Sequence, residues 1–278
     1  MYTDLRRLSS YGLKQAPRAW YDKLTAFLLA NGFTKGQIDP TLFIQKHEDD
    51  VLIVQIYVYD IIFSSTNKKF SNAFAKLMKL NFEMSMMGEL TFFLGLQVHQ
   101  SPRGIFLSQS KYALEIIRKH GMTSCDTYNT PMHNTTKLDA DLHGKLVDPT
   151  KYRSIIGSLM YLTASRPDIV FAVFMCSRYQ SRPTERHLNE AKRILRYVKG
   201  TIHMGIWYPK DSGFELIAFS DADHAGCVDT RKSTSGGLQF LGDKLVSWKS
   251  KKQDCTSLSS TESEYVAMAA CCAQIIWM

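Results

Sequence analysis

The sequence predicts an α+β protein, and three blocks of contrasting periodicity lead to that prediction. Residues 51–63 form two β-rich apolar runs, the pattern of a buried hairpin. Residues 150–199 repeat apolar side chains at helical spacing in three successive segments. From about residue 213 the pattern returns to strands and then ends in a helix. Together these blocks indicate an α+β architecture.

The first helix is predicted after a turn that begins near residue 11. Pro17 suits a first helical turn, where its missing N–H costs nothing. Trp20, Leu24 and Leu28 then recur at helical spacing, and Gly32 follows as a stop signal. A second helix is predicted over residues 70–80.

The apolar hairpin at residues 51–63 is interrupted only by Tyr59-Asp60. This dipeptide is poor turn chemistry, since Asn-Gly or Asp-Gly is usual between paired strands. A carboxylate between two buried strands also costs free energy unless a partner compensates it. Local rules broken at one position indicate a functional site, so Asp60 becomes a candidate residue.

The middle of the chain predicts two short strands, at 90–98 and 104–107, around a turn at 101–104. A helix at 110–120 should end at Gly121, and residues 122–149 are polar and predict an extended linker. The three helices that follow are expected at about 150–164, 167–180 and 184–199.

The C-terminal part predicts a strand at 214–219 and a hairpin of strands 234–241 and 244–249 around Gly242-Asp243. Ser259 and Glu262 then form a capping-box signature that opens a helix. That helix runs to Met278 without a stop signal, so we expect the chain to be cut there.

Composition indicates an ordinary globular protein of one large or two average domains, with 278 residues and 45% hydrophobic side chains. No membrane span or signal peptide is expected. None of the six cysteines shows C-x-x-C spacing, which favours reduced thiols in an intracellular protein of the cytoplasm or nucleus, not a secreted one. The net charge of +8 favours contact with phosphate backbones but does not establish it.

The helix at 184–199 leaves two interpretations open for its polar face. The face is either a solvated amphipathic surface or a track for a nucleic-acid backbone. It carries five cations: Arg186, Lys192, Arg193, Arg196 and Lys199.

Two acids in the C-terminal part could bind a metal ion. Asp221 ends a predicted strand and Glu264 lies in the first turns of the next helix. Carboxylates from a strand and a helix can converge on Mg²⁺, which prefers oxygen ligands and supports phosphodiester cleavage. The alternative is that both are ordinary exposed acids, with Glu264 complementing the helix dipole.

Ten sequence motifs, in order along nearly the whole chain, resemble those of copia-type retrotransposon reverse transcriptases. YVYD occupies the place of the Tyr-Val-Asp-Asp active-site hairpin, and FLGLQ resembles a primer-contacting hairpin. Other motifs resemble thumb and connecting helices and the start of an RNase H domain. The matching segments are 11–20, 57–60, 93–97, 108–112, 166–169, 193–200, 220–223, 231–236, 247–253 and 258–265.

The resemblance implies roles for individual residues. Tyr59 stands where the family has its first hairpin aspartate, a principal metal ligand, and Asp60 matches the second. Gln15 matches a glutamine near the incoming nucleotide, and Leu94 and Gly95 lie in the primer-contacting hairpin. Asp221 and Glu264 match the first two RNase H carboxylates, so the expected metal residues are Asp60, Asp221 and Glu264, with Mg²⁺ or Mn²⁺.

The resemblance also implies a domain layout. Residues 1–122 should form part of a reverse-transcriptase palm and thumb that lacks the fingers and the first palm strand. Residues 123–210 should hold the linker and connection helices, and 211–278 the N-terminal part of an RNase H-like domain. Further aspartates of both catalytic sites would lie before Met1 and beyond Met278.

The implied function is RNA-templated DNA synthesis and cleavage of RNA in RNA–DNA hybrids, with a template and primer as partners. Because Tyr59 replaces one ligand and others would lie outside the chain, we expect neither activity, and Tyr59→Asp alone should not restore synthesis. Two alternatives are an unselected product of a decayed gene and a non-catalytic nucleic-acid binder. The binder would use the five cations of the 184–199 helix together with Lys251 and Lys252.

Overall fold

The computed structural model describes residues 2–4, 16–82, 84–133 and 137–278. These fall into two compact units, Met1–Leu90 and Thr91–Met278. Each unit combines helices with antiparallel sheets, which confirms the α+β prediction. Within the described residues, no helix combines the length and apolar character required to cross a membrane.

The first unit contains one sheet and two helices, which are β1 (Tyr2–Asp4), α1 (Ala16–Ala30), β2 (Thr34–Lys35), β3 (Leu42–His47), β4 (Asp50–Tyr57), β5 (Asp60–Ser65), α2 (Lys68–Asn81) and β6 (Met84–Met86). The strands of the sheet are in the order β2-β3-β4-β5-β1-β6. The short strand β1 lies between the start of β5 and β6. The predicted first helix and apolar hairpin are therefore present, whereas β3 was not predicted.

One apolar core holds this unit together. Trp20, Leu24 and Leu28 repeat every fourth residue of α1, so they share one face, and all are buried. Leu52 and Val54 alternate along β4 and meet this face. Gly32 has a φ of +81°, which only glycine adopts at little cost, and it ends α1 as predicted.

The second unit contains two sheets and five α-helices among its described residues. The first sheet has the order β10-β9-β8-β7 and the second the order β11-β12-β13. The strands are β7 (Phe92–Phe93), β8 (Leu96–Ser101), β9 (Gly104–Ser108), β10 (Gly205–Pro209), β11 (Leu216–Ala222), β12 (Thr234–Leu241) and β13 (Lys244–Lys252). The helices are α3 (Ser110–Lys119), α4 (Pro149–Leu162), α5 (Val170–Ser177), α6 (Glu185–Gly200) and α7 (Ser260–Trp277).

The core of the second unit lies between helices α3 to α6. Residues 122–148 lack regular helices and strands where they are described, as the linker prediction requires. This segment is nevertheless packed rather than loose, because Leu138 is fully buried in the helical core. The Tyr179 hydroxyl donates to the Leu138 carbonyl at 2.9 Å and fixes the segment there.

Two sequence predictions in this unit need correction. The helix predicted at 167–180 is a 3₁₀ turn, Pro167–Ile169, followed by the shorter α5, because the tighter turn keeps Asp168 beside Arg166. Strand β10 lies in the region assigned to linker and helices. It pairs with β9, where a Cβ on Gly205 would meet the Leu107 carbonyl oxygen at 2.1 Å.

The ends of the other elements follow the sequence signals closely. The β12–β13 hairpin turns at Gly242, whose φ is +59°. Ser259 caps α7 by accepting a hydrogen bond from the Glu262 N–H at 3.1 Å. All six cysteines are described and carry free thiols, while their cellular compartment stays a prediction.

Candidate nucleic-acid site

The β4–β5 hairpin reverses at Val58-Tyr59, one residue earlier than the interruption seen in the sequence. Tyr57 pairs with Asp60, so Asp60 is the first residue of β5. Val58 has a φ of +53°, an unusual conformation for a β-branched residue. The Trp20 indole N–H donates to the Val58 carbonyl at 2.8 Å and holds this turn in place.

Tyr59 belongs to the core rather than to an open acidic site. Its half-buried ring packs against the apolar core of the first unit, 6.5 Å from the Trp20 ring centroid. The neighbouring Asp60 is also half-buried. In the described parts of the chain, no three His, Cys, Asp or Glu side chains are grouped to hold a metal ion. The described hairpin therefore does not fit a Mg²⁺ or Mn²⁺ site, and Gln15 lies outside the described residues.

A second hairpin tip is formed by Leu94 and Gly95 between β7 and β8. Both residues have positive φ, +49° and +82°, as a two-residue turn between twisted strands requires. The Tyr161 hydroxyl of α4 donates to the Leu94 carbonyl at 3.0 Å. A Cβ on Gly95 would lie 1.9 Å from that hydroxyl oxygen, so the tip docks closely on α4.

Asp221 and Glu264 occupy different surroundings. Glu264 is exposed on α7, which packs on the sheet through Ser263, Ala267 and Cys271. Asp221 pairs with Gly236 and lines a cleft bounded by Phe171 of α5. Because side chains alternate along a strand, Asp221 lies on the face opposite the one that α7 covers. Among the described residues, neither acid belongs to a group of three or more His, Cys, Asp or Glu side chains that could hold a metal ion.

The basic face of α6 is largely occupied by the packed segment 122–148. Arg193 and Arg196 lie over the Tyr128 ring, at 4.4 and 5.4 Å from its centroid. Arg193 also donates to the Thr130 hydroxyl at 3.0 Å. Arg186 forms an ion pair with Asp139, and Lys199 donates to the Cys125 carbonyl.

Lys192 differs from the other four cations of this face, since it has no hydrogen bond or ion pair within the described residues. On β13, Lys251 is exposed and lies 3.5 Å from the Asp254 carboxylate, and Lys252 is half-buried. Most of the predicted phosphate-contacting set on α6 therefore has a structural role, while Lys192 and the β13 lysines stay available as contacts.

A buried ion pair beside α6 was not singled out by residue patterns. Arg166 is only 2% exposed, and its guanidinium donates twice to the Asp168 carboxylate, at 2.7 and 2.9 Å. Two further donations reach the Thr201 carbonyl and hydroxyl at the end of α6. The RPDI motif could have indicated this ion pair. The charge of Arg166 directly precedes a buried apolar helix, and a buried charge needs a partner of opposite sign.

Comparison with known proteins places the chain in a family. Residues 5–134 match the family described as Reverse transcriptase (RNA-dependent DNA polymerase). The retrovirus-related Pol polyprotein from transposon RE1 of Arabidopsis thaliana is 39% identical over 98% of this chain, which spans only 19% of that protein's length.

This chain matches two other relatives over most of their own length. An uncharacterized mitochondrial protein of Arabidopsis thaliana is 41% identical over 80% of this chain and 92% of its own. A putative transposon Ty5-1 protein of Saccharomyces cerevisiae is 31% identical, with 92% and 84% covered. The chain therefore belongs to the reverse-transcriptase family found in the Pol polyproteins of copia-type retrotransposons.

Proposed function

We propose that the chain is a reverse-transcriptase-derived module that binds a nucleic-acid template and primer without adding nucleotides at the β4–β5 hairpin. One observation carries the proposal: the half-buried side chain of Tyr59 packs against the apolar core beside Trp20. Phosphoryl transfer depends on metal ions that neutralise developing negative charge. A half-buried phenol at this turn supplies no carboxylate to hold such an ion.

The binding half of the proposal rests on family and charge. The relatives are Pol polyproteins, and the chain itself carries a net charge of +8. Lys192, Lys251 and Lys252 are the cations best placed to meet phosphates. Since binding that neutralises phosphates releases counterions, affinity should fall steeply as salt rises.

We further propose that residues 211–278 are an RNase H-like segment that does not cleave RNA in this chain. Asp221 lines a cleft beside α5, whereas Glu264 is exposed on α7, and we therefore do not expect the two acids to hold one metal ion. Incubation of the chain with an RNA–DNA hybrid and Mg²⁺ or Mn²⁺ should leave the RNA strand intact.

Primer extension on an RNA template tests the central proposal. We expect a labelled primer to bind, with affinity that decreases with salt, and to remain unextended in Mg²⁺ or Mn²⁺. The matched control is Tyr59→Ala, which removes the ring without adding a carboxylate. Template-dependent incorporation by the natural chain above the level of that variant would overturn the proposal. Binding of the primer that does not change with salt would contradict the proposed contact with phosphates.

A further inference from the structure

A cavity of about 170 Å³ lies between the β12–β13 hairpin and α7. Ala267, Ala270 and Cys271 line it from the helix, and Ser235, Gly237 and Gln239 line it from β12. The two sides differ in character, because the helix offers small apolar side chains and the strand offers glycine and polar groups. An engineered cavity of about 150 Å³ accommodates benzene in another protein, so this space fits one six-membered ring.

Gln239 supplies an unusual polar group to this cavity. Its side chain is 2% exposed and its Nε2 donates weakly to the Cys271 sulfur at 3.3 Å. Its Oε1 atom has no hydrogen-bond partner within the described structure. Nearby Gln253 shows the usual situation, since both ends of its amide are bonded to serines. A buried acceptor without a partner costs free energy that a donor from a ligand would recover.

Positive charge surrounds the same cavity. Lys249, Lys251 and Lys252 of β13 are among its lining residues. Asp254 is the one acid among the residues that line it, and its carboxylate is 3.5 Å from Lys251. A ligand that carries an anionic group beside a flat ring would therefore meet cations at the cavity and an acceptor within it.

We propose that this cavity binds a pyrimidine nucleotide, with the base beside Gln239 and the phosphate on the β13 lysines. Uracil and thymine offer a ring N–H and cytosine an amino group, and either can donate to Oε1 once the Gln239 side chain, whose Oε1 is buried as it stands, rotates toward the ring. A purine carries a second fused ring, so we expect it to fit beside Gln239 less well than a single ring. The inference rests on the proposed nucleic-acid binding, and it identifies one place where the chain contacts a nucleotide. The nucleotide is either free or one unit of a single strand.

Titration of the full chain with mononucleotides tests the cavity directly. We expect UMP and CMP to bind about tenfold more tightly than AMP or ribose 5-phosphate, as followed by calorimetry. Gln239→Leu should abolish this preference, and Lys251→Gln should weaken UMP binding and reduce its salt dependence. Lys76→Gln, an exposed lysine of the first unit, is the charge control and should change nothing.

A second variant fills the cavity with a larger side chain, so that the test does not depend on whether Gln239→Leu folds correctly. Ala270 is exposed on α7 and lines the cavity, so Ala270→Phe should block UMP while leaving the thermal transition unchanged. Undiminished UMP binding by this variant, or equal binding of UMP and ribose 5-phosphate, would overturn the inference.

Oligonucleotides separate the two sources and the two proposals. Tighter binding of oligo(dT) than oligo(dA), lost in Gln239→Leu, would identify the strand as the source, whereas a preference seen only with UMP would identify the free nucleotide. Strand binding without any pyrimidine preference in either assay would defeat the inference and leave the proposed function intact. UMP binding without binding of any oligonucleotide would contradict the proposed function and leave the cavity inference intact.

Discussion

At the residue scale, one indole sets the geometry of the family hairpin. Trp20 is 2% exposed, and its N–H holds the carbonyl of a valine whose φ is positive. Tyr59 packs beside the same indole. The position that the resemblance assigns to a metal ligand is thus a packing position in this chain, and its energetics are those of an aromatic core.

Trp20→Phe should destabilise the first unit by about 1–3 kcal/mol, because it removes a hydrogen bond and leaves a small void. Urea unfolding measures the change, and amide exchange at Val58 and Tyr59 should accelerate. The neighbouring Tyr21→Phe is the matched control, since it deletes only an exposed bond to Pro40 and should cost less than about 1 kcal/mol. Equal effects of the two substitutions would contradict the role given to the indole.

At the scale of elements, a buried ion pair joins the 3₁₀ turn before α5 to the end of α6. Burial by itself raises the pKa of the Asp168 carboxyl, but the Arg166 guanidinium and the Tyr197 hydroxyl together hold that pKa below 3.8. A carboxyl whose folded-state pKa is depressed stabilises the fold above its ordinary pKa. That stabilisation is lost as pH falls through the lower folded-state value.

Asp168→Asn should therefore cost about 3–5 kcal/mol at pH 7, because Arg166 stays buried without its counter-charge. The difference from the natural chain should begin to shrink as pH falls below about 4, where the unfolded-state carboxyl is protonated, and should disappear as pH falls through the lower folded-state pKa. Denaturant unfolding at several pH values measures it. Asp148→Asn, at the exposed N-cap of α4, is the control and should show a smaller cost. A pH-independent difference for Asp168→Asn would contradict the assignment.

The basic face of α6 makes a second prediction about elements. Arg193→Ala should destabilise the second unit by about 1–2 kcal/mol, because it removes the contact with Tyr128 and the bond to Thr130. Lys192→Ala, one residue away on the same helix, should leave stability unchanged and weaken strand binding. Thermal melting and a salt series of binding measure the two effects. If Arg193→Ala instead weakened strand binding without a loss of stability, the face of α6 would be a phosphate-binding surface after all.

At the scale of the whole molecule, two separate apolar cores underlie the two units. Among the residues that the structure describes, the buried side chains of the first core come from residues 20–84 and those of the second from residues 113–198. Within that part of the chain, the two cores have no side chain in common. Local unfolding free energies can therefore differ between the units.

Leu24→Ala should remove about 2–5 kcal/mol from the first unit, because Leu24 is fully buried there. Hydrogen exchange should show loss of protection in β4 with α6 unaffected. Leu195→Ala, fully buried in the second core, should produce the reverse pattern. Uniform loss of protection in both units after either substitution would show that the chain unfolds as one cooperative body.

Much of the fold was accessible from residue patterns, for identifiable reasons. Helix α1, the β4–β5 and β12–β13 hairpins and the cap of α7 all depend on local spacing and on turn or cap residues. Strand β10 was missed because its five residues form no long alternation, and only its partner β9 makes them a strand. The site was less accessible, since a hydrogen bond such as Trp20 to Val58 joins residues far apart in sequence.

By itself, the sequence determined the family, the class of fold and most local elements, and its resemblance to that family predicts an aspartate where Tyr59 stands. These depend on residue identity and short-range spacing. The tertiary structure alone decided that Tyr59 packs against the first core, that Asp221 lines a cleft beside α5, and that the α6 arginines bind their own chain. Each of these depends on which groups, distant in sequence, come into contact. Only the tertiary structure shows whether a charged side chain is free or already paired.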